Sequence, residues 1–474
     1  MKQISQVKGG VKIRQKQYKT PKTEKKKQND ASQLFLSGVR CQKSGKISEA
    51  ANYYRNAILL DPNIPDVYNN LGVVLRQLGN TNAAIACYKK CLHLRPKNAG
   101  VYSNLGNAFR DIGKLEHAAK NHKKSIGILN NNPESHFNLG LVLRDLGMLE
   151  DALLSFNRAL ELKPENADYQ WDKALTLLTM GDFKNGFDQY ESRWNLKRNP
   201  PRAFARPLWE GESLKNKTLL IYQEQGFGDM IQFARFIPSA KELGGRIYLE
   251  VQPELYNLFS TIPGVDLIFK KGEKITGFDF CIPMMSLFHR LKLSINSVSL
   301  KLPYLSPPGK KSVNIPRTNQ KNKNIGIVWA GKRSHKNDAN RSCSFENFID
   351  LLGIPNLSIY SLQKGDREAE FKEYGCDSLI IDLANKIKGF DDTASIISQL
   401  DLVISVDTAT AHLAGALGTP VWVILPFSPD WRWMRKTNVS PWYPTMKLFR
   451  QKKPNEWNSV FSEIRKKLSA NLGS

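Results

Sequence analysis

The chain has 474 residues, too many for one hydrophobic core, and this length indicates two to four domains. Its composition, 41% hydrophobic and 24% charged, is typical of globular domains, and no apolar run reaches the roughly 18 residues of a membrane span. Six cysteines without a CxxC pair exclude a disulfide framework, and the net charge of +25 favours an anionic ligand.

Residues 1–30 form a basic segment in which ten Lys or Arg residues face only Glu24 and Asp30. Because the segment is poor in large apolar residues, we predict a disordered tail. It lacks the apolar run of a secretory signal, so a cytoplasmic location is expected. The tail is either a solubilising leader or an attachment to nucleic acid or to an anionic membrane surface, where the protein would sit peripherally.

The next part of the chain repeats with a period of 34 residues. Each unit has a glycine, an alanine and a ring at the same three positions. These residues are Gly38, Gly72, Gly106 and Gly140, then Ala50, Ala84, Ala118 and Ala152, then Tyr54, Tyr88, His122 and Phe156. The pattern resembles the tetratricopeptide repeat, in which small residues let two helices approach and the ring fills the space beneath them.

The repeats predict an N-terminal α-solenoid over residues 31–200. A fifth unit is degenerate, keeps Ala174, Gly186 and Tyr190 in register, and is expected to cap the stack. The predicted units are 31–64, 65–98, 99–132, 133–166 and 167–200.

Asn70, Asn104 and Asn138 all occupy the sixth position of their repeats. A carboxamide carries donors and an acceptor, so such a ladder suits the backbone of an extended peptide of any sequence. The alternative is that asparagine at this position simply belongs to the repeat. We therefore predict that a protein partner binds in the groove of the solenoid, and that these three asparagines contact it.

After residue 200 the period disappears and strands alternate with helices. Two such series, joined by a linker at 303–308, predict two Rossmann-like lobes at 201–308 and 309–474, with a cleft between them. The predicted strands are 218–223, 246–251, 265–269, 278–282, 324–329, 358–362, 379–383, 401–406 and 421–425. One predicted helix begins near Asp229, and three others cover residues 345–352, 393–400 and 408–417. Ligands bind at the carboxyl ends of such strands, so the loops after residues 223, 329 and 406 are expected to carry the chemistry.

The loop after the first of these strands contains Gly226, Gly228 and Asp229. Glycines let a ligand approach the backbone, and a helix start supplies free N–H groups. Asp229 is either the cap of that helix or a general base for an acceptor hydroxyl, and spacing alone favours the cap.

Two further loops suit an anionic donor. Thr408 opens a helix whose N–H groups suit a diphosphate, and Asp407 fits sugar hydroxyls better than phosphate. The alternatives are that Asp407 is only a helix cap and that His412, on the same helix, is only a packed side chain. The basic loop 331–342 either neutralises a pyrophosphate or is a solvated loop. The aromatic stretches 429–433 and 440–444 are interpreted mainly as anchors between the lobes.

The stretches 223–238 and 404–414 resemble the paired motifs of the heptosyltransferase-like enzymes, glycosyltransferase family 9. Residues 426–433 and 440–444 resemble the endings of its bacterial branch with repeats ahead of the domain. The resemblance covers about residues 215–450. It implies a GT-B fold and metal-independent, inverting transfer from a nucleotide-diphosphate sugar, with no cofactor and no metal.

The resemblance also implies roles for single residues. Asp229 matches the base of the family, Asp407 and Thr408 match its donor-binding residues, and His412 lies on the same helix turn. Gly226 and Gly228, in the loop that carries Asp229, are candidate donor-binding residues. Lys336 or Arg341 takes the position of a phosphate-contacting lysine.

The sequence therefore predicts a sugar transferase of hexosyl or heptosyl type, with a protein or glycan acceptor that the repeats hold if it is a protein. The main alternative is a repeat scaffold whose transferase-like domain has no activity. A sugar epimerase on the same fold is a second alternative. Nucleic-acid binding rests on the basic tail alone, since no recognition motif supports it.

Overall fold

A computed structural model of the protein describes residues 21–198, 200–295, 302–309, 313–317, 319–335 and 337–472. The chain forms two compact units, Met1–Val142 and Leu143–Ser474. No helix within the described ranges is both long enough and apolar enough to cross a membrane.

The first unit consists of helix pairs, one pair for each of the first three predicted repeats. Its helices are α1 (Pro21–Lys43), α2 (Ile47–Leu60), α3 (Pro65–Gln77), α4 (Thr81–Leu94), α5 (Ala99–Asp111) and α6 (Leu115–Ile128). Helix α7 (Pro133–Leu146) spans the division between the units.

The predicted disordered tail needs a correction. Residues 1–20 lie outside the described residues, but residues 21–30 form the first turns of α1. Pro21 at the first helical position is compatible with a helix start, and the Lys, Glu and Gln residues that follow are good helix formers. Their continuity with the first repeat helix explains why the shortage of large apolar residues was misleading here.

The packing reason given for the repeat glycines is confirmed. A Cβ atom at Gly38 or Gly72 would lie 2.5 Å from the ring of Tyr54 or Tyr88. At Gly106 it would lie 2.6 Å from the imidazole of His122. Any side chain at these positions would displace the ring, so the spacing of glycine and ring is a packing requirement.

His122 is the polar member of this set of rings. It is fully buried, and neither ring nitrogen has a hydrogen-bond partner among the described residues. Burial, with a smaller contribution from Arg110, lowers the pKa of His122 from 6.5 to about 4. The third repeat therefore buries a neutral imidazole with unsatisfied nitrogens, which is unfavourable.

Replacing His122 with phenylalanine is expected to stabilise the third repeat by about 1–2 kcal/mol at neutral pH, because a phenyl ring fills the space without an unsatisfied nitrogen. In the natural chain the unfolded imidazole binds a proton more readily than the folded one. The free energy of unfolding should therefore fall as the pH drops from about 6.5 to about 4, by up to about 3 kcal/mol.

Protection factors of the α5 and α6 amides at several pH values measure both effects. His117→Gln, an exposed change on the same helix, is the control and should keep the pH dependence. If His122→Phe also kept it, the burial of a neutral imidazole would not be its cause.

The second unit begins with repeat-like helices and continues into a parallel sheet. The helices are α8 (Leu149–Leu162), α9 (Ala167–Met180) and α10 (Phe183–Tyr190). The strands are β1 (Thr218–Tyr222), β2 (Arg246–Val251), β3 (Leu267–Lys270) and β4 (Phe280–Pro283), in the order β3-β2-β1-β4. Helices α11 (Phe227–Phe233), α12 (Ile237–Lys241), α13 (Tyr256–Phe259) and α14 (Leu287–Arg290) connect and follow them.

A second parallel sheet follows, in the order β10-β9-β8-β5-β6-β7. Its strands are β5 (Lys323–Val328), β6 (Leu357–Ser361), β7 (Ile380–Asp382), β8 (Leu402–Val406), β9 (Val421–Leu425) and β10 (Met446–Arg450). Its helices are α15 (Asp338–Arg341), α16 (Ile349–Leu352), α17 (Glu370–Glu373), α18 (Phe390–Ile397), α19 (Ala409–Ala416) and α20 (Asn458–Leu472). Neighbouring strands pair in parallel, with Ile327 of β5 opposite Ile404 of β8, so the loops after β5 and β8 leave the same edge.

The predicted fold class, helical repeats followed by two Rossmann-like lobes, is confirmed. β1, β8 and β9 are buried along their whole length, which explains their continuous apolar sequences. The pattern did not predict β10 or α20. β10 is an edge strand with an exposed Lys447, and so lacks a continuous apolar run.

The predicted fifth repeat packs into the core of the second unit. Phe183 of α10 contacts Trp442 at 5.2 Å between ring centroids, and Phe187 contacts Phe233 of α11 at 6.0 Å and Trp431 at 5.6 Å. This degenerate unit therefore joins the α/β lobes, and its sequence departs from the repeat because its rings pack against them.

Candidate functional site

A cleft of about 1050 Å³ lies between the two sheets of the second unit. Its walls are the loop after β1 with the start of α11, the loops after β5 and β6, and the starts of α18 and α19. It brings together Gly226, Gly228, Asp229, Arg341, Asp407, Thr408 and His412. Lys336 lies outside the described residues, and Asn70, Asn104 and Asn138 belong to the first unit.

Asp229 lies in the first turn of α11, which begins at Phe227, two residues earlier than predicted. Gly226 is the N-cap residue of α11, so Asp229 does not take the N-cap role that spacing favoured. Its Oδ2 accepts the backbone N–H of Gly226 at 2.9 Å, which is the bond that the third residue of a helix makes back to the N-cap in a capping box. Its Oδ1 accepts a hydrogen bond from the guanidinium of Arg432 in the other lobe. Each carboxylate oxygen has two lone pairs, so both keep accepting capacity towards the cleft.

Arg432 is a cleft residue that the sequence pattern did not single out. Its Nε donates to Oε1 of Gln232 at 2.8 Å and its Nη1 to Oδ1 of Asp430 at 2.7 Å. Burial alone would lower the pKa of Arg432, but the carboxylates of Asp229 and Asp430 outweigh it and raise the pKa. The guanidinium therefore stays charged and ties the two lobes together at the cleft.

A signal for Arg432 was present in the stretch 429–433. There an aspartate and an arginine alternate with two tryptophans, and the guanidinium of Arg432 lies over the ring of Trp431, 4.3 Å from its centroid. The stretch was interpreted through its aromatic residues alone, and its charged residues face the cleft.

Asp407 follows the carboxyl end of β8. Burial raises the pKa of Asp407 to about 6, and repulsion from Asp430 adds to this, while Arg341 and Arg432 oppose it. The carboxylate therefore changes its charge close to neutral pH, unlike an ordinary aspartate.

The start of α19 is open towards the cleft. Thr408 is its N-cap residue and makes no capping bond with its side chain; its Oγ1 lies 2.9 Å from Oγ of Ser405. Ala409 and Thr410, the first helical residues, line the cleft. Because the first N–H groups of a helix point away from its body, this terminus suits an anionic group.

His412 and Gly228 hold α11 and α19 together. The Nδ1 of His412 lies 3.0 Å from the hydroxyl of Tyr443, and its ring stacks on Trp433 at 5.1 Å. Burial, with Arg432 and Arg235, holds the pKa of His412 well below 6.5. A Cβ at Gly228 would lie 3.0 Å from Cδ2 of His412. These contacts support the packing alternative for His412, at the wall of the cleft.

Among the described residues of the basic loop 331–342, Asp338–Arg341 form the short helix α15. The buried Asp338 accepts from Oγ of Ser342 at 2.9 Å and from Nε of Arg341 at 3.4 Å. A Cβ at Gly331 would collide with the guanidinium of Arg341. Arg341 is thus held at the cleft wall, while Lys332 is exposed.

The asparagine ladder is linked to neighbouring side chains of the first unit. Nδ2 of Asn104 donates to Oδ1 of Asn69 at 3.0 Å, and Nδ2 of Asn138 donates to Oγ of Ser103 at 3.5 Å. Oδ1 of Asn70 accepts from Asn69 at 3.1 Å. The bonds of Asn104 and Asn138 join one repeat to the next, whereas the bond of Asn70 lies within its own repeat, and peptide binding stays a prediction.

Comparison with known families agrees with both parts of this architecture. A profile described as "Tetratricopeptide repeat" matches residues 65–98 and 133–166, and one described as "TPR repeat" matches 40–79 and 106–147. The profile "Glycosyltransferase family 9 (heptosyltransferase)" matches residues 360–440. The chain carries tetratricopeptide repeats and a heptosyltransferase-like domain. The match to this domain contains Asp407, Thr408 and Arg432 and supports an enzyme of the glycosyltransferase type.

Similar proteins include Protein FlbA of Caulobacter vibrioides, 26% identical over 313 residues, which are 60% of this chain and 52% of FlbA. The chain thus spans about half the length of that relative. Among solved structures, MamA from Desulfovibrio magneticus RS-1 is 21% identical with a TM-score of 0.34, over 36% of this chain and 98% of that one. YrrB, described as a TPR protein with an unusual peptide-binding site, is 19% identical with a TM-score of 0.33, over 38% and 92%.

Proposed function

We propose that the heptosyltransferase-like domain moves a hexose or heptose from a nucleotide-diphosphate sugar to a hydroxyl of a protein or glycan acceptor, with inversion and without a metal or cofactor. One observation carries the proposal: Asp229 from one lobe and the open start of α19 from the other line the same cleft. The reaction is assigned to the cytoplasm, and a protein acceptor is assigned to the groove that contains Asn70, Asn104 and Asn138.

The donor fits the second lobe by charge. Its diphosphate would lie against the N–H groups at the start of α19 and the hydroxyl of Thr408, with the cation of Arg341 nearby. Lys336 belongs to the same basic loop and is a further candidate cation. The sugar hydroxyls would donate hydrogen bonds to the carboxylate of Asp407.

The acceptor side of the reaction would use Asp229. Its carboxylate takes the proton of the acceptor hydroxyl as that oxygen attacks the anomeric carbon of the sugar. The bond between this carbon and the phosphate oxygen breaks from the opposite face, and the nucleoside diphosphate leaves with the electron pair. Arg432 holds Oδ1 of Asp229 in place, and the cationic groups of the second lobe stabilise the charge of the leaving diphosphate.

Donor affinity is expected to weaken as the pH falls through about 6, because burial raises the pKa of Asp407 to about 6 and the ionised carboxylate accepts hydrogen bonds from the sugar more strongly, and with both oxygens, than the protonated carboxyl does. Titration calorimetry with the donor between about pH 5 and 8 measures this. Asp407→Asn should flatten the profile, whereas Asp366→Asn, at another carboxylate of the cleft, should preserve it. A flat profile in the natural chain would contradict the role of Asp407.

A panel of nucleotide sugars tests the proposed function directly. The purified chain is expected to release a nucleoside diphosphate from one of them, and the release should depend on an acceptor. A product formed without any acceptor would indicate an epimerase. If one donor binds and none is turned over, the chain is a scaffold. One observation favours this alternative, because both carboxylate oxygens of Asp229 already have protein partners.

A further inference from the structure

The degenerate fifth repeat is bonded to the loop that precedes Asp229. Arg193, fully buried in the turn after α10, donates from Nε and Nη2 to the two carboxylate oxygens of Glu224, at 2.6 and 3.0 Å. The same guanidinium donates to Glu191 at 2.6 Å and to Ser286 at 2.7 Å. A bidentate pair of this kind fixes both the position and the orientation of the carboxylate.

The next residue of the loop is also held by this repeat. Gln225 donates from Nε2 to the hydroxyl of Tyr190, the last residue of α10, at 2.8 Å. Its backbone has a φ of +62°, a conformation that residues other than glycine, asparagine and aspartate rarely adopt. Such a conformation persists only where its surroundings hold it, and the hydrogen bond that Gln225 donates to the hydroxyl of Tyr190 is part of those surroundings.

Helix α10 also contacts the other wall of the cleft. Trp431 packs against Phe187 at 5.6 Å and against Tyr190 at 6.4 Å. The residue after Trp431 is Arg432, whose guanidinium bonds Asp229. One helix of the degenerate repeat therefore touches the segments that carry both partners of the bond between the lobes.

We propose that the fifth repeat is a working part of the transferase site, in which Tyr190 and Arg193 are positioning residues for the loop 224–229. They act through Glu224 and Gln225 and set where Asp229 stands relative to the donor. This inference rests on the proposed transferase function for its effect on turnover, but the effect on the loop itself is independent of it.

Tyr190→Phe in the full chain tests the inference, because it removes the hydroxyl and leaves the ring among its aromatic neighbours. The matched control is Tyr54→Phe, at the same position of the first repeat, where the hydroxyl donates to Gln42 at 2.6 Å. Amide hydrogen exchange of residues 224–229 is expected to become about fivefold faster in Tyr190→Phe and to stay unchanged in Tyr54→Phe. Equal exchange in Tyr190→Phe and the natural chain would overturn the proposal.

Turnover provides the second readout. With the donor and acceptor identified by the panel, Tyr190→Phe is expected to lower kcat about fivefold at an unchanged KM for the donor, and Tyr54→Phe should alter neither. A loosened loop with an unchanged kcat would refute the positioning role. If the natural chain turned over no donor, the proposed function would fail, and the exchange experiment would still decide whether the repeat holds the loop.

Discussion

Asp229→Asn is expected to lower turnover by about 10²- to 10⁴-fold and to leave the affinity for the nucleotide sugar nearly unchanged. The amide has the shape of the carboxylate and can still accept the N–H of Gly226, so the start of α11 should persist. It cannot take the proton of an acceptor hydroxyl. Single-turnover rates and donor titrations on the same preparation measure the two quantities separately.

The control for this change is Asp430→Asn. Asp430 is the other carboxylate bonded to Arg432 and lines the same cleft. Its replacement therefore also removes one negative charge beside the guanidinium of Arg432. Its effect on turnover should stay below about tenfold, because Asp430 is not assigned a proton transfer. Similar losses in both variants would mean that the charge around Arg432, rather than a base at position 229, determines the rate.

The parts of the fold that follow from local patterns were predictable from the sequence. The ring of Tyr88 needs the missing side chain of Gly72, and this pair recurs with the period of the repeat. The buried strands β1 and β8 read as continuous apolar runs, since parallel strands covered on both faces have no exposed side. The short α15 inside the basic loop was missed, because its stability comes from the buried Asp338 rather than from an apolar face.

The candidate site was predictable only where a loop carries a motif. Asp407 directly follows β8, and Asp229 follows β1 after a short loop. Since ligands bind at the carboxyl ends of such strands, the sequence predicted both residues at one cleft, where the structure has them. Arg432 lies 203 residues from Asp229 in the sequence, and the bond between them depends on how the two lobes pack. The bond from Arg193 to Glu224 spans only 31 residues of sequence, but it too depends on packing, because it joins a repeat to a lobe. Local periodicity contains no information on such pairs.

Arg193→Met is expected to destabilise the second unit by about 3–5 kcal/mol, the largest loss of stability that we predict. Burial alone would lower the pKa of Arg193, but the carboxylates of Glu224 and Glu191 outweigh it, so the guanidinium is charged. Methionine fills much of the same space but leaves the buried carboxylate of Glu224 without its cation. An unpaired charge in a dry site costs far more than an exposed one.

All nine tryptophans of the chain lie in the second unit, so denaturation followed by tryptophan fluorescence reports on that unit alone. Arg198→Met is the matched control, since Arg198 pairs with Asp168 in the same segment but both side chains are about half exposed. Its effect should stay within about 0.5 kcal/mol, because surface ion pairs contribute little. A loss in Arg193→Met as small as in this control would mean that water reaches Glu224, and that the fifth repeat does not hold the loop before Asp229 through a dry ion pair.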